Sequence, residues 1–240
     1  MPSAYHHLLD TLGLERGVLV QPSVYGADNA AMLDAMAASG GRLRGVVVVP
    51  STVGDAELER MHALGVRGVR YNAMAGEALY QGMEDMARRI APLGWHVQTY
   101  APLKLLAKVA PRLGALPVPV VIDHLGQPDE GVPVSSPEFQ TVLGLVRDGA
   151  WVKLSGAYRV SNAPPPYGLA AAYARAFIAA APDRCVWASD WPHPGYTAQP
   201  MPNDGTLLGL LDSWAEKPAL RNRILVDNPA RLYGGSQGKT

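Results

Sequence analysis

Short runs of apolar, mostly β-branched residues recur along the chain at 17–21, 45–49, 66–71, 96–100, 118–123, 151–155 and 185–189, each bounded by glycine, proline or charged residues. Runs of this length and composition predict seven strands. Between them, stretches rich in Ala, Leu and Glu place apolar positions at helical spacing over 27–38, 55–64, 78–92, 102–113, 137–147 and 167–181. A helix is also predicted over 3–12, with Ser3 placed to cap it. Strands that alternate with helices call for parallel pairing through crossover connections, and continuous apolarity suits strands covered on both faces.

An open doubly wound sheet and a closed barrel both satisfy this alternation. No Gly-x-Gly-x-x-Gly or phosphate loop follows the first run, and polar residues crowd the C-terminal ends of nearly all the runs, where barrel enzymes place their sites. The expectation is therefore α/β: one domain over residues 1–240, a (β/α)8 TIM-type barrel with seven recognisable strands and the first one lacking. Such a barrel carries two unpaired edges, which proteins normally pair or cover. Either the chain is shortened, or another segment, or a second subunit in a homo-oligomer, fills the seam.

Composition narrows the function. The 240 residues, 48% of them hydrophobic, are enough for a full core. Lys+Arg 21 balances Asp+Glu 21, so no overall field draws nucleic acid or an anionic membrane, and neither is expected as a partner. The single cysteine, Cys185, lies in an apolar run, offers no disulfide or thiolate cluster, and suits a reducing, cytoplasmic setting. No apolar run reaches membrane-spanning length, and the first residues lack the basic start and apolar stretch of a secretory signal. Three Pro/Gly-rich stretches, 126–137, 162–168 and 192–204, follow the last three runs and read as loops that wall a pocket.

Asp190 ends the last apolar run and precedes Trp191-Pro192, whose proline disfavours helix at Trp191 and holds the carboxylate at a strand-to-loop corner. A general base or metal ligand fits there; a turn cap is the plainer role. His124 sits at the equivalent place after Ile122-Asp123, suited to polarise a carbonyl, or else a buried neutral ring bonded to backbone. Arg70 and Arg159 stand near the ends of two other runs. Facing one pocket they would grip a carboxylate; alternatively each pairs with a structural Asp or Glu. Tyr25, Asn72, Tyr100 and Tyr158 are hydrogen-bonding candidates at the same rim. His96, at the start of a run, belongs to the opposite end of the barrel, His62 to a helix surface, and His193 to a structural role in its loop. No Gly-x-Ser-x-Gly nucleophile is present, so water attack directed by a carboxylate fits this inventory better than covalent catalysis.

The strings Val-Leu-Val-Gln-Pro-Ser-Val-Tyr-Gly, Arg-Gly-Val-Arg-Tyr-Asn, Ile-Asp-His-Leu-Gly, Val-Lys-Leu-Ser-Gly-Ala-Tyr-Arg, Ser-Asp-Trp-Pro-His-Pro and Asp-Asn-Pro-Ala-Arg-Leu-Tyr together resemble the amidohydrolase-2 family, in particular its 2-pyrone-4,6-dicarboxylate lactonase-like hydrolases. The resemblance implies a distorted barrel that opens the lactone ring of a small anionic substrate. Asp190 would activate water, His124 would polarise the carbonyl, and Arg70 with Arg159 would hold carboxylates. It implies no metal or other cofactor in this branch. The His-x-His pair of the family's first strand has no counterpart here, since tandem His6-His7 has neither its spacing nor its position. Gln127 stands where dicarboxylate lactonases tend to carry Arg, which weakens the hold on a second carboxylate and points to a different acidic or partly neutral lactone. The competing expectations are a metal-dependent decarboxylase of the same superfamily and a non-catalytic barrel that binds a small hydroxy-acid or assembles with other subunits.

Overall fold

In the computed structural model, which describes residues 2–198 and 200–234, helix α1 (Pro2–Thr11) leads into seven strands. These are β1 (Gly17–Val20), β2 (Leu43–Val47), β3 (Val66–Asn72), β4 (His96–Tyr100), β5 (Val120–Ile122), β6 (Trp151–Leu154) and β7 (Cys185–Trp187). Six helices make the crossovers: α2 (Ala30–Ala37), α3 (Asp55–Leu64), α4 (Met83–Ile90), α5 (Leu103–Gly114), α6 (Pro137–Arg147) and α7 (Gly168–Ala180). Every strand pairs in parallel with the next, in the order β1 to β7. The result is a curled sheet ringed by helices, a TIM-type barrel short of one strand. Among the described residues β1 and β7 remain its two edges.

Alternation along the strands sorts side chains to two sides. Val47, Val69, Val97, Ile122, Val152, Leu154 and Cys185 point outward into the large core shared with the helices. Val46, Val121, Trp151 and Val186, with Val18 and Val20 against them, form a separate cluster inside the curl. That inner cluster is completed by Leu232 and Tyr233. They arrive on α10 (Asn228–Tyr233), which follows α8 (Asp204–Trp214), the short α9 (Pro218–Asn222) and a wide π turn. Asn228, fully buried, fixes this closing segment by donating from Nδ2 to the carbonyls of Cys185 at 2.7 Å and Pro182 at 2.8 Å.

The sequence pattern did not announce α8, α9 and α10. Two of them have five or six residues, too few for a helical period to show. The capping expectation at Ser3 is corrected as well: α1 already runs from Pro2, so Ser3 lies inside the helix. The helix expected over 78–92 is interrupted because Gly82, at φ 73°, separates a single turn (Glu77–Tyr80) from α4.

His96 occupies the N-terminal end of β4, as expected, and is wholly buried edge-on against Tyr233 at 5.5 Å. The ring fits because its neighbour in register is Gly68: a Cβ there would lie 2.5 Å from His96 Nε2. Gly68→Ala should cost about 1–3 kcal/mol of stability through overpacking. Denaturant unfolding checks this, and the cost should shrink in a His96→Ala background, where the added methyl has room.

Candidate active site

The C-terminal mouth of the curl gathers most of the residues singled out by sequence. Asp190 lies just beyond β7 at φ 63°, in the left-handed region that L-residues seldom adopt, and His193 repeats this at φ 60°. The loop is held in that shape by the His193 N–H, which donates to the Asp190 carbonyl at 2.7 Å. His124 follows β5 in a turn whose residues 124–127 all have positive φ. Tyr158 and Arg159 belong to a single turn (Ala157–Arg159) after β6. Gly156 enters that turn at φ 66°, and a Cβ there would approach His124 Nδ1 to 2.9 Å. Only glycine gives both the backbone conformation and the clearance.

These side chains interlock around Asp190. Its Oδ2 accepts from the Tyr158 hydroxyl at 2.5 Å and from Arg159 Nε at 2.6 Å. Its Oδ1 faces His124 Nε2 at 3.8 Å, too far for a hydrogen bond and close enough to share a substrate with it. His124 Nδ1 is tied to the Ser155 hydroxyl at 3.0 Å, and its ring stands edge-on to Tyr100 with centroids 5.0 Å apart. Burial pushes His124 down to about 4, with the negative charges of Asp123 and Asp190 only partly opposing, so the imidazole is neutral at neutral pH. Burial, then the charge of Asp190, raise the Tyr158 phenol far above its ordinary range, so it remains a donor.

Beneath this layer lies a group the sequence reading passed over. Asp123 is almost fully buried and accepts from Lys153 Nζ at 2.9 Å, Gln98 Nε2 at 2.9 and 3.0 Å, and Arg70 Nε at 3.2 Å. Burial alone would raise its carboxyl, but Lys153 and Arg70 pull it well below the usual carboxylate range. Arg70 is thus ion-paired from Nε and stacked over Tyr100 at 5.3 Å, while its Nη2 has no hydrogen-bond partner among the described residues. Arg159 likewise spends Nε on Asp190 and Nη2 on the Pro194 carbonyl, leaving Nη1 without a partner among those residues. Three cations, Arg70, Lys153 and Arg159, face the carboxylates of Asp123 and Asp190, and with His124 neutral this cluster carries one surplus positive charge.

The remaining candidates are peripheral. Gln127 lies beside Arg159, its Nε2 donating to the Arg159 carbonyl at 3.4 Å and its Oε1 buried without a partner among the described residues. Asn72 donates to Ser23 at 2.5 Å, and Tyr25 stands 59% exposed on the turn after β1. Neither touches Asp190 or His124. His62 is not simply surface: its Nδ1 accepts from Trp95 Nε1 at 2.9 Å, far from the mouth. His193, foreseen as structural, is buried and bonded to Tyr158. Among the described residues no group of three or more His, Cys, Asp or Glu side chains converges as a metal site would require.

Residues 2–235 match the amidohydrolase family, Amidohydro_2. The chain belongs to that family. A 2-pyrone-4,6-dicarboxylate hydrolase of Comamonas testosteroni is 40% identical over 239 residues, covering 94% of this chain and 78% of that protein. A 4-sulfomuconolactone hydrolase of Hydrogenophaga intermedia is 38% identical, covering 96% of this chain and 78% of that protein. In three dimensions, a probable 2-pyrone-4,6-dicarboxylic acid hydrolase of Acinetobacter baumannii, solved with citric acid bound, superposes with a TM-score of 0.88 at 30% identity, covering 98% of this chain and 89% of that one. Within this amidohydrolase barrel, Asp123 and Lys153 were missed because a charged residue in an apolar run reads as a break or an outward face, whereas here the curl of the sheet turns both inward.

Burial also sets a pH dependence of stability. His124 falls to about 4 and His96 to about 3, each from an ordinary 6.5. Their folded values lie below the unfolded one, so the unfolded chain binds more protons as pH falls below about 6.5, and stability is lost progressively toward the folded values. The melting temperature should therefore fall from pH 7 to pH 4, and His124→Gln should flatten that fall. A pH series of thermal unfolding curves for both proteins decides it.

Proposed function

We propose that this amidohydrolase opens the ring of a small anionic lactone by attack of water, with Asp190 as general base. The observation that carries the reading is the asymmetry of Asp190, whose Oδ2 is saturated by Tyr158 and Arg159 while Oδ1 faces the neutral His124 across 3.8 Å. Relatives at 37–40% identity that are named as lactone hydrolases support the same chemistry.

Oδ1 takes a proton from water as the water oxygen bonds to the lactone carbonyl carbon. The developing oxyanion is met by the Nε2–H of His124, the tautomer in which Nδ1 accepts from Ser155. Collapse of that intermediate breaks the ring C–O bond, and Asp190 returns its proton to the leaving oxygen, so lactone and water become a hydroxy-acid with no net proton taken up by the protein. The unpartnered amino groups of Arg70 and Arg159 and the surplus positive charge suit one carboxylate or sulfonate on the substrate, and neutral Gln127 suits a polar group beside it. Each of these steps has a protein group to perform it. The lone buried cysteine suits a reducing, cytoplasmic setting.

Hydrolysis of a panel of carboxylated, sulfonated and neutral lactones tests the proposal. Asp190→Asn should lower kcat by about 10²–10⁴-fold, the range for a lost general base. Arg70→Met should lower kcat/KM for a charged lactone by roughly 10-fold or more, the scale of one charge-assisted hydrogen bond, and leave a neutral lactone nearly unaffected. Full activity in Asp190→Asn would sink the assignment.

A further inference from the structure

The loop after Asp190 holds two polar groups that the reaction above does not use. His193 is 4% exposed, and its Nδ1 lies 3.1 Å from the Tyr158 hydroxyl. On the other side of the ring, Nε2 stands 3.5 Å from Oδ2 of Asp204, the residue that opens α8 directly after its cap Asn203. Neither His193 Nε2 nor Asp204 Oδ1 has a hydrogen-bond partner among the described residues. Tyr5 of α1, stacked on Trp191 at 5.7 Å, is the nearby titratable group that feels the charge of Asp204.

Counting hydrogens assigns the roles. A phenol has one hydrogen, and a carboxylate can only accept, so the 2.5 Å contact commits the Tyr158 hydrogen to Asp190. At the 3.1 Å contact, Nδ1 of His193 must then be the donor and the Tyr158 oxygen the acceptor. Nε2 is left facing Asp204 Oδ2 across 3.5 Å. The four groups form a line: Asp204, His193, Tyr158, Asp190.

We infer that His193 is a positioning residue for hydrolysis: it fixes the Tyr158 hydroxyl as a donor to Oδ2 and so reserves Oδ1 of Asp190 for water. Without the Nδ1–H, the phenol is free to rotate, and the carboxylate loses the bond that keeps its two oxygens unequal. His193 acts through Tyr158 and does not touch the reacting atoms. The inference rests on Asp190 being the base, and its test separates the two.

Asparagine places an amide N–H near the position of Nδ1, whereas leucine fills the space without a donor. With a lactone turned over by the wild type, His193→Leu should lower kcat about 10- to 100-fold, the effect of misplacing a reacting group, while KM stays within about 2-fold. His193→Asn should keep kcat within about 3-fold of wild type because the donor is restored. Tyr158→Phe should lose as much as His193→Leu, and the double variant should lose no more. Equal failure of the Asn and Leu variants, losses that multiply in the double variant, or an effect carried by KM would each overturn the inference. A readout independent of turnover is 15N NMR of the histidine rings in the intact chain: Nδ1 of His193 should be protonated, and its signal should move in Tyr158→Phe. A bare Nδ1 would refute the brace even in a protein that hydrolyses lactones well. A protonated Nδ1 in a protein that hydrolyses none would support the brace and count against the hydrolase reading instead.

Discussion

A carboxylate sealed from water must be neutralised where it stands, and Asp123 meets that condition at the centre of the curl. Lys153 from β6, Gln98 from β4 and Arg70 from β3 all reach it, so one buried anion joins three strands across the interior. Taking away one partner of such a buried pair typically costs about 3–5 kcal/mol, since the other charge is then stranded. The layer above depends on it: Arg70 is aimed by its bond to Asp123, Tyr100 lies under Arg70, and His124 is the next residue in the chain after Asp123. The ion cluster therefore separates a dry apolar floor, closed by Leu232 and Tyr233, from a polar mouth.

The mouth is organised by unequal sharing. Two donors sit on one oxygen of Asp190 and leave the other without a hydrogen bond, and the same economy recurs at His124, where Ser155 occupies one ring nitrogen and the other faces Asp190 across 3.8 Å. Arg70 and Arg159 follow the pattern, each spending part of its fork on a carboxylate and keeping one amino group. Neither of the two roles considered for these arginines excludes the other, because a guanidinium has enough donors for both.

Much of this was legible in the chain itself. All seven strands were placed within a few residues, because parallel strands covered on both faces are apolar throughout and stand out from their polar flanks. Asp190 and His124 were singled out because a polar residue directly after such a run lies at the end where barrels place their sites, and the structure does bring the two together, 3.8 Å apart. Asp123 and Lys153 were not, since no local pattern tells an inward charge from an outward one. The contacts of His193 were equally hidden: Tyr158 and Asp204 lie 35 and 11 positions away, and a left-handed loop brings them together. The closing helices were invisible for want of length, although Tyr233 and Leu232 seal the interior.

The turn at residues 124–127 has a wider meaning. Three L-residues and one glycine in succession take left-handed backbone conformations, each non-glycine at a cost of about 1–2 kcal/mol, and Leu125 is driven fully into the core to hold them there. The polypeptide thus writes a short stretch of mirror-image geometry at the point where its imidazole is presented. Such a stretch borrows its shape from its surroundings. As the protein warms, it has reason to relax before the sheet gives way, so that catalytic competence and folded structure would be lost at separate temperatures.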